Sequence, residues 1–164
     1  MKELLIIRSA SFQQLDKNLV MIRERFPDHK LSLLTHEHGV LLAQKYKDID
    51  QIYVYPYTES FAYRRKVREL QKKEFETVII PVTNLSGAGF VNVFLFSLTL
   101  QAKKRFVCNV ISELREISRT QILLMGLGNK LFSFFSFLCT MMVGFLTVLL
   151  LPLMLVQIES KERK

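Results

Sequence analysis

The sequence predicts an α/β domain, a parallel sheet covered by helices on both faces, joined to one C-terminal transmembrane helix. Three observations predict it. Short runs of consecutive apolar residues alternate repeatedly with helical patterns, and continuous apolar strands mark a sheet buried on both faces. From Leu131 to Ile158 the chain carries no charged residue, more than the roughly 20 apolar residues a helix needs to cross a bilayer core. The mean hydropathy is +0.19, high for a chain that is also 23% charged, so the two kinds of residue are segregated along the chain.

The elements follow in order. Leu4 to Arg8 (LLIIR) reads as a first buried strand. Ser11 opens S-x-x-Q with Gln14, a capping box. A helix then runs to about Arg25 with Leu15, Leu19, Ile22 and Phe26 on one face, and Pro27 ends it. Lys30 to Leu34 is a second strand, Gly39 to Lys45 a short helix, and Gln51 to Tyr55 a third strand closed by Pro56. Phe61 to Lys73 reads as a strongly basic helix, and Thr77 to Ile80 as a fourth strand stopped by Pro81. A polar turn, Thr83 to Gly89, leads into a very apolar helix, Phe90 to Ala102. That helix is too short to span a bilayer, so it is expected to be buried or pressed against a membrane or partner. Arg105 to Cys108 is a fifth strand. Ile111 to Met125 reads as an amphipathic linking helix, set off from the apolar run by Gly126 and Gly128. The expected organisation is an α/β domain over 1–110, a linking helix over 111–130, a transmembrane helix over 131–157 and a short polar tail over 158–164.

The run from Leu131 to Gln157 is apolar on every face. A domain of this size rarely encloses such a helix, so a membrane is its expected surrounding. Pro152 predicts a kink or an early helix end. Gly144 has no G-x-x-x-G companion and offers no self-dimer motif. Leu4 to Ile7 is too short an apolar run for a signal peptide, so the soluble domain is expected on the cytoplasmic side of the cytoplasmic membrane, anchored by a single pass. The flanking charges do not set the orientation: Arg115, Arg119 and Lys130 precede the run, and Lys161, Arg163 and Lys164 follow it. Cys108 and Cys139 lie in unlike segments and read as free thiols in a reducing compartment.

The net charge is +8, of which +7 (20 basic, 13 acidic residues) precedes Leu131. A basic domain suits an anionic leaflet. No nucleic-acid-binding motif is present, so the bilayer, and not nucleic acid, is the expected partner. The cluster Arg64, Arg65, Lys66 and Arg68 reads first as a solvated helix face and otherwise as a membrane- or phosphate-facing surface. Ser86, Gly87 and Gly89 lie between a strand and a helix, where backbone N–H groups can cradle a phosphate. The same turn reads as a flexible connection with a helix cap. It matches neither the dinucleotide fingerprint nor a P-loop, and the sequence calls for no cofactor. His36 and His38 make an H-x-H after the second strand, but a third metal ligand is missing, so no metal site is expected and the pair reads as surface histidines. Tyr53, Tyr55 and Tyr57 read as packing residues. No nucleophile–base set or carboxylate pair assembles from spacing.

The stretches LLIIR…IRERFPDHKLSLLT, DIDQIYVY and FETVIIPVTNLSGAGFVN…LQAKKRF together resemble the N-terminal half of heptosyltransferase-type glycosyltransferases (family 9, GT-B type). The resemblance covers roughly residues 2–110. It implies a Rossmann-like fold that holds a sugar acceptor, often a lipid-linked glycan at the cytoplasmic membrane face. The crevice would be lined by Arg8, Ser9 and Ser11 on one side and by Asn84, Ser86, Gly87 and Gly89 on the other. The family's Gly-Asp pair does not follow Arg8, and Asp16 is the nearby carboxylate left as a catalytic candidate. The apolar run stands where the family's nucleotide-sugar domain would begin. The implied function is a membrane-tethered glycosyltransferase-like domain in cell-surface glycan or glycolipid assembly, working with a partner glycosyltransferase chain. The alternative is a non-catalytic membrane interaction or scaffold protein that keeps only the fold.

Overall fold

The computed structural model describes residues 2–162, with the side chains of the last helix described as far as Pro152. The chain divides into two compact units, Met1–Gly126 and Leu127–Lys164. The first is a mixed α/β domain built on a six-stranded sheet. Its strands are β1 (Lys2–Ile7), β2 (His29–His36), β3 (Gln51–Tyr55), β4 (Glu74–Pro81), β5 (Gln101–Cys108) and β6 (Leu114–Glu116). They lie in the order β3-β2-β1-β4-β5-β6. The first five pair in parallel, and β6 runs antiparallel to β5.

Successive side chains of a strand point to opposite faces, and β1 shows what this achieves. Leu4 and Ile6 join a cluster with Leu15, Leu19 and Ile22 of α1 (Phe12–Arg25), while Leu5 and Ile7 join a second cluster with Phe94 and Phe96 of α4 (Val91–Ser97). All four β1 residues are fully buried. The sheet is therefore apolar on both sides, as the unbroken runs require. Ser11 caps α1 as expected, its hydroxyl accepting the N–H of Gln14.

Several elements differ from the sequence reading. The basic segment Phe61–Lys73 is not one helix. Only α3 (Arg68–Gln71) is helical, because Phe61 and Val67 turn inward to fill the aromatic core and pull the chain off a helical path. The short helix after β2 is α2 (Val40–Ala43). The apolar helix expected to Ala102 ends at Ser97, and its Val93, Phe94 and Phe96 are buried in the domain's own core.

Arg105 explains that early end. Its buried guanidinium donates to the carbonyls of Ser97, Leu100 and Ala102, gathering the last turn of α4 and the start of β5. Burial, and then the charge of Arg119, push its pKa down to about 10, so it stays charged at neutral pH.

The linking helix expected from Ile111 starts only at Arg119. Asn109 accepts the N–H groups of Ile111 and Glu113 and forms a tight turn. Ser112 takes a positive φ of 63° there. The turn feeds β6, and the chain then enters α5 (Arg119–Glu162) through a reciprocal cap: the Ser118 hydroxyl accepts the Gln121 N–H, and Gln121 Oε1 accepts the Ser118 N–H. Ile122 of α5 is fully buried in the domain core, and Leu95 packs against Gly126.

In the second unit every residue from Leu127 to Pro152 is exposed. The helix is long and apolar enough to cross a membrane. Neither Gly128 nor Pro152 interrupts it. Thr140 and Thr147 donate their hydroxyls to the carbonyls of Ser136 and Val143 one turn back, which satisfies these polar groups inside the helix itself. Arg163 and Lys164 of the expected polar tail lie outside the described residues.

Candidate functional site

In an open α/β sheet the crevice forms beyond the carboxyl ends of the strands, where the strand order reverses. Here the chain passes from β1 to β2 on one side and later returns to β4 on the other. A crevice of about 500 Å3 opens at that place, lined by Arg8, Ser9, Ser11, His36, His38, Gly89 and Asn92 among others. A larger hollow of about 790 Å3 lies at the opposite edge, where the strands begin. Its charges are of mixed sign, Lys2, Lys103 and Arg119 against Glu3, Glu74 and Glu76, so it concentrates no single chemistry. The smaller crevice has one cation, two imidazoles and, among the described residues, no carboxylate in its lining.

Arg8 follows directly on β1 and is held from three directions. Its Nε donates to Thr35 Oγ1 at 2.7 Å, its Nη2 contacts His38 Nε2 at 3.2 Å, and its guanidinium carbon lies 4.8 Å from the centre of the Phe12 ring. A guanidinium has no acceptor atom, so His38 Nε2 must accept, and the ring proton of His38 then belongs on Nδ1. Gly39 makes the arrangement possible: a Cβ there would collide with Thr35 Oγ1 and lie 3.2 Å from Arg8 Nε. Among the described residues no carboxylate lies within 4 Å of Arg8, and partial burial lowers its pKa.

His36 and His38 stack, with ring centres 5.4 Å apart. His36 also packs edge-on against Tyr55 and Phe61 and contacts the Glu59 carbonyl at 3.3 Å. A carbonyl only accepts, so Nε2 of His36 carries the proton. Burial holds the His36 pKa below its ordinary value, with Arg8 and His38 acting in the same direction. His36 is accordingly neutral at pH 7.

The expected site residues divide. Arg8, Ser9, Ser11 and Gly89 line the crevice; Asn84, Ser86 and Gly87 are not among its lining residues. Their turn is closed on itself. Asn84 Oδ1 accepts the Gly87 N–H at 2.6 Å, Asn84 Nδ2 donates to the Ala88 carbonyl at 2.8 Å, and Ser86 Oγ accepts the Ala88 N–H at 3.3 Å. Two backbone donors of the expected phosphate cradle are thus already engaged. Asp16 lies outside the crevice, where its Oδ1 accepts the Tyr46 hydroxyl. Burial, followed by that contact, pushes the tyrosine up to about 12. Arg65 forms a two-pronged pair with Glu59, at 2.6 and 2.9 Å, over the Tyr57 ring. Arg64, Lys66 and Arg68 are absent from the crevice lining. In the sequence His36 and His38 read as surface histidines and not as site residues, and His38 is indeed exposed. The signal that finds them is their place at the carboxyl end of a strand that neighbours β1.

Gly87 and Gly89 both have positive φ, 78° and 84°, where an L side chain is strained. A Cβ on Gly87 would lie 2.8 Å from Phe94 Cζ, whereas one on Gly89 meets nothing within 4 Å. Gly87→Ala should therefore lose about 2–4 kcal/mol of stability from strain plus overpacking, and Gly89→Ala about 1–2 from strain alone. Urea unfolding followed by tyrosine fluorescence measures the difference; equal losses would show that Phe94 yields freely.

Compared with known proteins, the chain matches no protein-family model, no curated protein and no solved structure at a significant level.

Proposed function

We propose that this chain is a membrane-tethered, glycosyltransferase-like domain that holds a lipid-linked glycan acceptor at the crevice beyond β1 and β4, with a partner chain supplying the donor half. The observation that carries the proposal is the unpaired Arg8 at the point where the strand order reverses, in a chain that also has one helix apolar enough to span a bilayer. The order β3-β2-β1-β4-β5-β6 supports a Rossmann-like reading of the sheet. The basic domain and its two free cysteines support a position at the cytoplasmic leaflet. A tethered acceptor site and a separate donor site gain rate by being brought together, since positioning alone supplies several kcal/mol of barrier lowering.

The crevice lining has no carboxylate among the described residues. That observation favours a second reading, a membrane scaffold that binds a glycan or a partner without chemistry. One experiment separates them. The full-length chain is extracted in mild detergent and assayed with radiolabelled nucleotide-sugars and a lipid extract, with and without its co-purifying proteins. Transfer only in the presence of a co-purifying chain is the expected result. Transfer or nucleotide-sugar binding by the chain alone would overturn the proposal, and no transfer with every companion present favours the scaffold.

A further inference from the structure

The crevice holds a guanidinium that has no carboxylate within 4 Å among the described residues. Arg8 Nε and Nη2 are engaged by Thr35 and His38, while Nη1 has no hydrogen-bond partner among the described residues. The side chain is nonetheless fixed, stacked on Phe12 and passing over Gly39. A long cation immobilised in this way has already lost the rotamer freedom that binding would otherwise remove. The donors around it have one character. Ser11 and Asn92 line the same crevice as Arg8 and the two stacked imidazoles.

Resting on the acceptor reading above, we propose that Arg8, His36 and His38 form a phosphate-binding subsite, so that the ligand of this crevice is a phosphate ester or diphosphate rather than a neutral sugar. A guanidinium matches two phosphate oxygens at once. The charged and titratable groups facing the two rings are Arg8 just after β1, Glu37 beside them, and Tyr55, Tyr57 and Glu59 from β3 and the loop after it. Glu59 is already paired with Arg65, which leaves Arg8 free for an external anion. Thr35 and Gly39 are positioning residues.

The test uses the full-length chain in detergent, titrated calorimetrically with inorganic pyrophosphate, and in nanodiscs of phosphatidylcholine with or without phosphatidic acid. The wild-type chain should bind pyrophosphate saturably. Arg8→Gln should weaken binding on the order of tenfold or more, since a charge-assisted pair is lost. Arg8→Lys should weaken it less, keeping the charge without the fork. Lys104→Gln, at an exposed lysine outside the crevice, should change it by less than about twofold. An unchanged melting temperature shows that each variant is folded. Competition of pyrophosphate by phosphatidic-acid nanodiscs, lost in Arg8→Gln, assigns the anion to a lipid headgroup. Arg8-dependent binding without such competition assigns it to a soluble phosphate ester. No pyrophosphate binding, or equal binding by wild type and Arg8→Gln, overturns the subsite. Binding needs no partner chain, so an Arg8-dependent titration without transfer in the earlier assay keeps the subsite and discards the transferase.

Discussion

Arg105→Leu should be among the most destabilising single substitutions in the α/β unit, lowering its stability by about 2–4 kcal/mol, and Arg105→Lys should follow at about half that. The side chain is 3% exposed and makes four hydrogen bonds of 2.9–3.2 Å to three backbone carbonyls. Replacing a buried ion pair by apolar residues can be harmless because both partners leave together. Here the partners are main-chain carbonyls, which no substitution removes, so the acceptors would be left dry and unpaired. The positive charge at the end of α4 also opposes the negative end of that helix. A lysine restores one donor direction but cannot fan out to three carbonyls. Urea unfolding of the variants gives the value. A loss below about 0.5 kcal/mol, the range of ordinary surface changes, would mean that water replaces the guanidinium and that Arg105 does not terminate α4.

Removal of Leu127–Lys164 should convert a membrane-bound chain into a soluble one. Between Leu131 and Leu151 there are thirteen Leu, Phe and Val residues, together worth about 4–8 kcal/mol of insertion free energy. No charged residue in that stretch opposes them. The helix satisfies its own backbone, and Thr140 and Thr147 satisfy their hydroxyls within it. The cut after Gly126 keeps Ile122, which is fully buried in the domain core. Alkaline carbonate extraction should leave the full chain in the membrane pellet and the shortened chain in the supernatant. A full chain released by carbonate would remove the tether from the proposed function. A shortened chain that melts without cooperativity would show that the first unit depends on the second.

The parts of the fold that could be read from the sequence are those fixed by local chemistry. Ser11 and Gln14 announce the start of α1 because the capping box is a contact between near neighbours. The β1 run is legible because both faces of its strand are buried and no polar residue interrupts it. What was misread depends on distant partners. The Ser118–Gln121 box carries the same signal as Ser11–Gln14, but the amphipathic pattern beginning at Ile111 absorbed it. Nothing near Ile111 in the sequence shows that Leu114–Glu116 will find β5 as a partner. Arg105 looks like a third member of Lys103-Lys104-Arg105, yet the first two are exposed and only the third turns inward. The site was half legible. Arg8, Ser9 and Ser11 follow the first strand and could be placed by topology. His38 belongs with them through a contact that spans 30 residues. The Gly87 turn looked open to a ligand because its composition does not show that Asn84 and Ser86 occupy its donors.

The three residues of β6 have a consequence for how copies of this chain live side by side. A sheet that ended at β5 would leave Phe106–Cys108 with bare main-chain groups, an invitation to strand addition by any neighbour. On the proposed reading a membrane crowds the molecules into two dimensions, where such chance pairings multiply. The short reversed strand fills that margin and turns Arg115 and Glu116 outward, while Lys103 and Lys104 guard the stretch it does not reach. The sheet can then be packed densely at a surface without zipping into its neighbours.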